Sequence, residues 1–408
     1  MNCNNVNVEP TVIGGGDGST AYDAFGRLRV SNPLTIFDSA NVMSKNTLFD
    51  EALTGSGTVS YTANKSTVNL NVTTASGDKV IRQSKRVMSY QPGKSLLILN
   101  TFVMNTPEED LKQKVGTFDA NNGIFFMADG TTLKIVRRTY TSGSAVDTEK
   151  SQSEWNGDKL DGTGASGYDL NVDKACILFT DYEWLGMGAV RVGFVIDGKF
   201  ITAHTFYNAN DLTTVYMQTA NLPIRYEIET TGTISGAAVL QQVCSSCMIE
   251  GGYSPQGIIQ SVGTASLAGV TLTTAGTFYN LGTIRIKSGR PYALIIPQGF
   301  IASAVSNSDF EVQLRQNATP STAFSYTSYS DNIEYDLDGT KTITGGTIVG
   351  RTYLSGKGVS IETFGDGLNF QYQLGQTIAG VSDTLTLCAR GASNNDGVVG
   401  LIKWFDLT

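Results

Sequence analysis

His204 is the only histidine in 408 residues, so any Ser–His–Asp or Cys–His relay would have to run through it. It lies inside "FITAHTF", a period-two segment that reads as a β-strand. With no partner in reach of the sequence, it reads as a packed or surface side chain and not as a general base. Cys244 and Cys247 have CxxC spacing. A structural zinc site needs four ligands, and the chain has neither a second CxxC nor a histidine pair. A redox dithiol would need a βαβ context that is also missing. Asp336 and Asp338, in "YDLDGTK", look like half a calcium loop without its closing glutamate. The simpler expectation is an Asp-Gly hairpin turn between "NIEYDL" and "TKTITG", and a structural cation is left open. "GGGDGS" lacks the Gly-Lys-Ser/Thr ending of a phosphate loop. No catalytic, cofactor or metal residues are therefore assigned, and the chain is not expected to be an enzyme. Trp155, Tyr168, Tyr182 and Trp184 are the aromatics that could stack on a glycan, although each type is more often core.

Composition narrows the classes further. Hydrophobic residues make up 40% and charged residues 16%, with 45 glycines and a formal charge of −8. That suits buried cores joined by many turns, and it disfavours an electrostatic grip on nucleic acid. No apolar run is long enough to span a membrane, and "MNCNNVNVEP" does not read as a secretory leader. Synthesis and assembly in a cytoplasm, with reduced thiols, are expected. The cysteines (Cys3, Cys176, Cys244, Cys247, Cys388) are odd in number and scattered, unlike a disulfide framework. Arg82, Lys85, Arg86, Arg137 and Arg138 form short basic clusters, read as inter-subunit salt-bridge partners or solvated strand faces.

The elements that would position these residues are almost all strands. "VRVGFVI", Asp197-Gly198 and "KFITAHTF" spell a hairpin, and "GIFFMADGTTLKIVRR" repeats the device at Asp129-Gly130. About a dozen strands are expected between 34 and 250, packed as two facing sheets. One short helix is expected over 106–116, "TPEEDLKQKVG", with Pro107 opening it and Glu108 and Glu109 in its first turn. "EGGYSPQGIIQSVG" breaks the pattern and places a boundary near 250. Eight further strands, from "GVTLTT" to "GVVGLIKWFDL", suit a jelly-roll-like sandwich. The expected fold is all-β: an N-terminal arm over 1–32, a lectin-like β-sandwich over 33–250 and a jelly-roll-like β-sandwich over 251–408.

The arm runs into the first sandwich through "DAFGRLRVSNPLTIFDS", residues 23–39. Phe25, Leu28 and Val30 alternate with Arg27 and Arg29, a pattern suited to an extended strand on another surface. The alternative is that it forms a strand of the chain's own first sandwich. "AFGRLRVSNPLTIFDS" resembles a segment near the start of structural proteins of tailed, mostly aquatic bacteriophages and of some large DNA viruses. "VGTFDANNGIFFMADGTTLKIVRR", "EWNGDKLDGTGASGYDL", "DYEWLGMGAVRVGFVIDGKFITAHTFYNAN", "TVYMQTANLPIRYEIETTG" and "EGGYSP" are similar to blocks of the same family in the same order. Together these cover most of residues 21–255. The C-terminal part is similar only through "RPYALIIP", "FEVQLRQN" and "DTLTLCAR".

The resemblance implies a virion protein and brings no catalytic residues. The expectation is a non-enzymatic phage structural component, in a tail, baseplate or fibre, assembled as a homo-oligomer with itself and other virion proteins. A capsid-surface fibre or decoration protein is the near alternative. An adhesin reading host-surface glycans is the alternative from another class.

Overall fold

The computed structural model describes residues 22–24, 26–254, 256–364 and 370–408. They form two compact units. The first holds the described residues up to Gln83 together with Met88–Tyr253; the second holds Ser84–Val87 together with Ser254–Thr408. The division near 250 is therefore joined by a four-residue excursion that no composition change signals. The chain is all-β, as expected, and no helix among the described residues is long and apolar enough to cross a membrane.

The first unit opens with β1 (Leu34–Ala40), β2 (Phe49–Thr54), β3 (Thr58–Thr62), β4 (Thr67–Val72) and β5 (Lys79–Ser84). There follow β6 (Leu96–Val103), β7 (Leu111–Phe118), β8 (Gly123–Asp129), β9 (Thr132–Thr139) and β10 (Val146–Ser151). It closes with β11 (Cys176–Tyr182), β12 (Val190–Ile196), β13 (Lys199–Phe206), β14 (Ile224–Thr230) and β15 (Ala238–Ile249). One sheet runs β13-β12-β11-β6-β15-β4-β3, with β1 also on β15; the other runs β10-β9-β8-β7-β14-β5-β2. Phe126 of β8 meets Phe102 of β6 and Phe194 of β12, with ring centroids 6.3 and 5.1 Å away, so the two sheets share one core. All three rings are fully buried, each contributing about 1.5–3 kcal/mol.

Both expected hairpins form, and the first turns on its Asp-Gly pair. Asp197 and Gly198 have φ of 49° and 73°, the doubly left-handed turn that matches strand twist. In the other, Asp129 still pairs with Thr132, so the two-residue loop is Gly130-Thr131, one residue later than expected. The helix expected over 106–116 is not there. Leu111–Phe118 is strand β7, paired with β8 and β14. Pro107 and the acids lie in the preceding loop, and Asp110 turns the chain with φ of 62°. Lys114 then reaches Glu227 and Glu229 of β14 at 2.9 Å each. Cross-strand pairing overrides the local helix signals here.

The second unit begins with β16 (Ile258–Gly263), β17 (Val270–Leu272), β18 (Tyr279–Ile286), β19 (Ile295–Ala304) and β20 (Asp309–Gln316). Next come β21 (Thr319–Pro320), β22 (Thr327–Ser328), β23 (Ile333–Asp336) and β24 (Ile343–Thr344). The last are β25 (Thr347–Ser355), β26 (Val359–Thr363), β27 (Thr384–Gly391) and β28 (Asp396–Asp406). A sheet β16-β28-β19-β26, joined by β17, faces a six-stranded sheet β22-β23-β18-β27-β20-β25. Between them lie Leu281, Ile284, Phe300, Val312, Leu314, Leu387, Ile402 and Trp404, all buried.

Candidate functional site

The described part of the N-terminal segment is folded onto the first unit. Tyr22 and Leu28 form an antiparallel bridge, and Asp23 closes the loop. Its carboxylate accepts from the Arg27 backbone N–H at 2.8 Å and from Arg27 Nε at 2.6 Å. Arg27 Nη2 also donates to Glu183 at 2.7 Å, and Arg29 Nη2 donates to Asp181 at 2.6 Å and to Ser95 Oγ at 3.0 Å. Arg191 reaches both Asp181 and the Tyr22 carbonyl. Burial pushes the Glu183 carboxyl up, opposed by Arg27. Asp181 and Glu183 are wholly buried, so removing Arg27 strands the Glu183 charge, whereas Asp181 would keep Arg191.

The acids that meet these arginines therefore belong to the chain's own first unit, where the sequence pointed to another surface. The apolar side chains have the opposite fate: Leu28 is 56% and Val30 81% exposed. Phe25 lies outside the described residues. The segment also does not extend the sheet as an own strand; regular pairing begins at Leu34, opposite Ile249.

Two of the four proposed stacking aromatics are core. Trp155 is buried, packs edge-on against Phe126 and donates its indole N–H to the Lys150 carbonyl. Tyr182 is fully buried, with its hydroxyl on the Ala220 carbonyl at 3.2 Å. Neither offers a face to a sugar, because both rings complete the space between the sheets. Trp184 is half-buried against Tyr90 and donates to the Met217 carbonyl. Tyr168 is half-buried and donates to Asp197 Oδ2 at 2.8 Å, tying down the β12–β13 turn.

His204 is buried on β13 and its Nδ1 accepts from the Asn156 N–H at 3.3 Å. Burial, helped by Lys150, lowers its pKa to about 4, so at neutral pH it is an uncharged acceptor packed on Phe206. Cys244 and Cys247 stand on opposite faces of β15. Gln242 pairs with Phe102 and Ser245 with Asn100, so Val243 and Cys244 together oppose Thr101 in a β-bulge. Cys247 is buried and burial raises its thiol well above its ordinary value, while Cys244 is half-exposed beside Thr101. A three-residue spacing on a strand separates the two sulfurs.

The half calcium loop holds a side-chain cation. Lys341 Nζ lies 2.6 Å from Asp336 and 3.1 Å from Asp338. The expected hairpin is corrected as well, since β24 pairs with β21 and not with β23. Of the basic residues, Arg82, Arg137 and Arg138 find partners within the chain. Arg82 is fully buried, with Gln242, Glu51 and the Asn46 carbonyl as partners. Arg138 pairs with Asp147 at 2.8 Å, and Arg137 lies over the Phe206 ring. Among the described residues no cluster of His, Cys, Asp and Glu could hold a metal ion.

Sequence reasoning missed two charged ladders. On β14, Arg225, Glu227 and Glu229 share the face away from Tyr226 and Ile228; Lys79 and Lys114 each touch both glutamates at 2.8–2.9 Å. On β20, Glu311, Gln313 and Arg315 share the face away from Val312 and Leu314, and Glu311 is held by Arg351 and Arg390 at 3.1 and 2.6 Å. The period-two signal in "RYEIET" and "FEVQLRQ" marks the strands, but their cross-strand partners lie far away in sequence.

No protein-family model and no curated protein matches the chain. Among solved structures it is similar in part to a protein of unknown function from Shewanella oneidensis MR-1, at 10% identity over 54% of this chain and 88% of that one, with a TM-score of 0.35. It is also similar to the carbohydrate recognition domain of Emp47p, at 10% identity over 53% and 96%, TM-score 0.33. A third is a legume lectin-like domain from Entamoeba histolytica, at 9% identity over 48% and 89%, TM-score 0.30. Scores at this level transfer neither a site nor an activity.

Proposed function

We propose that the chain is a non-enzymatic structural component of a phage virion that assembles through its N-terminal segment into a homo-oligomer. A tail, baseplate or fibre is the first position; a capsid-surface fibre or decoration protein would use the same segment. The observation that carries the reading is the segment's two-sidedness. Arg27 and Arg29 are anchored on Asp181 and Glu183, which fixes the backbone. Leu28 and Val30 are thereby held outward on a rigid support. Apolar side chains pinned in water by ion pairs are a prepared contact, since burying each is worth about 1.5–3 kcal/mol. The six ordered blocks of resemblance support the virion setting. The engaged states of His204, the cysteines and Asp336 support a role without chemistry.

The test is mass photometry of the full chain beside Leu28→Ser/Val30→Ser. The double variant is expected to remain folded and lose the oligomer, and to enter particles poorly in a complementation assay. An unchanged oligomer with normal incorporation would overturn the reading.

A further inference from the structure

On the second unit, the outward face of the six-stranded sheet carries a row that the assembly reading does not use. Arg390, Glu311 and Tyr353 are direct register partners across β27, β20 and β25. On the next rung, Asp309 stands beside Ser355. These five residues line an open cleft of about 810 Å³, walled on one side by Gly276. That volume lies within the range of small-ligand sites. Tyr353 is 68% exposed, so an aromatic ring projects into the opening with its face unused.

The groups beside the ring are already rigid. Glu311 is buried, accepts from Gln313 Nε2 at 2.6 Å and from Arg390 Nε at 2.8 Å, and is touched by Arg351. Arg390 in turn lies over the Phe278 ring at 4.9 Å. The guanidinium is thus held from two directions and needs no reordering to meet a ligand. Two carboxylates (Asp309, Glu311) and one guanidinium (Arg390) line the cleft, and a second guanidinium, Arg351, touches Glu311 from outside it, so the cleft has no positive excess to attract a polyanion.

From this we infer that the cleft is a binding site for a neutral glycan. The Tyr353 ring stacks on the C–H face of a pyranose. Asp309 accepts hydrogen bonds from adjacent hydroxyls, and Arg390 donates to a ring or hydroxyl oxygen. An exposed ring between acceptors and a donor, with no positive excess, suits a ligand that is polar at its rim, apolar on its face and without negative charge. The other cleft described on this unit, about 420 Å³ in volume, is lined by Thr273 and Tyr279. Tyr279 is buried there and bonded to Thr273, so it presents no platform. The glycan-stacking role expected for Trp155 and Tyr182 thus moves to a tyrosine on the other unit. The inference does not rest on the assembly reading, since it involves neither the N-terminal segment nor the first unit.

The experiment places the full chain on an array of neutral, sialylated and sulfated oligosaccharides, beside Tyr353→Ala, Tyr353→Phe and Asp309→Asn. The full chain is expected to retain neutral glycans. Tyr353→Ala should weaken that binding about tenfold, as loss of a stacking platform does. Tyr353→Phe should keep it, Asp309→Asn should weaken it, and all variants should melt as the parent does. Absence of any neutral glycan, retention only of sialylated or sulfated ones, or unchanged binding by Tyr353→Ala would each overturn the inference. So would protection of Tyr353 from hydroxyl-radical footprinting in the unliganded oligomer, which would show the cleft covered by another copy.

Discussion

Strands β14 and β20 are built alike and finished differently. Each alternates core apolar residues with a three-residue polar ladder: Arg225, Glu227 and Glu229 on one, Glu311, Gln313 and Arg315 on the other. On β14 the ladder is closed. Two carboxylates meet Arg225, Lys79 and Lys114, and the guanidinium of Arg225 lies over the Phe118 ring at 5.2 Å. Burial raises the Glu227 carboxyl, but the three cations outweigh that and hold it far below the usual carboxylate range. On β20 the ladder is left open on one side. Glu311 is buried, yet its partners Arg351 and Arg390 are nearly half exposed, and the next side chain across is the outward Tyr353. A polar ladder whose partners are all internal serves the fold, whereas one whose partners face water beside an aromatic ring has capacity left for a ligand.

Removing the central carboxylate of each ladder tests that contrast most strongly. Glu227→Leu leaves three cations facing one glutamate in a buried site and is expected to cost about 3–5 kcal/mol. Glu311→Leu frees guanidinium groups that water can reach and is expected to cost about 1 kcal/mol. Urea unfolding of the two variants reads both figures, and equal losses would erase the distinction.

Acid should separate the units next. His204 has a folded pKa of about 4, below its ordinary 6.5, so its contribution is complete above 6.5 and is lost as the pH falls toward 4. Glu227, also depressed, adds a loss that begins below its ordinary value of 4.5. The raised Glu183 carboxyl works the other way, because acid relieves the cost of burying its charge. The second unit has no histidine at all. Between pH 6.5 and 5 the first unit should therefore soften while the second holds. Scanning calorimetry across that range checks this, and His204→Gln should flatten the difference.

The smallest effect belongs to the cysteines. Cys247→Ser puts a hydroxyl among buried apolar atoms and should cost about 1–2 kcal/mol. Cys244→Ser, on the half-exposed face, should stay within about 0.5 kcal/mol. Equal costs by thermal denaturation would place both thiols on one face.

Much of the fold was legible because it is local. The Asp197-Gly198 turn and the alternation of Val190, Val192 and Phe194 need only neighbours to be read. The segment 106–116 was misread because Pro107 and the acids signal a helix start, whereas Lys114 answers to Glu227, far away in sequence. Arg82 looked like surface charge; its partners Gln242 and Glu51 lie in distant strands. Two of the aromatic candidates, Trp155 and Tyr182, are core for a related reason. Residue type does not say which side chains the rest of the fold covers, so Trp155 was chosen and Tyr353, 68% exposed, was passed over. The alternation around Arg27 and Arg29 was legible as a segment lying on a surface, but not that Asp181 and Glu183 of the same chain supply it.

The bulge at Val243 and Cys244 sets a parity for everything after it. Before it, Ala238, Leu240 and Gln242 point into the core; after it, Ser245, Cys247 and Ile249 do. One extra residue thus moves the inward-facing set from even to odd positions, and it stands where β15 passes from pairing with β4 to pairing with β1. Insertions and deletions between Cys244 and Ile249 consequently obey an arithmetic rule. A change of one residue turns the buried half of the strand outward, whereas a change of two restores it. Homologous chains that differ in length here should differ by even numbers, and a library of single and double deletions would display the same alternation.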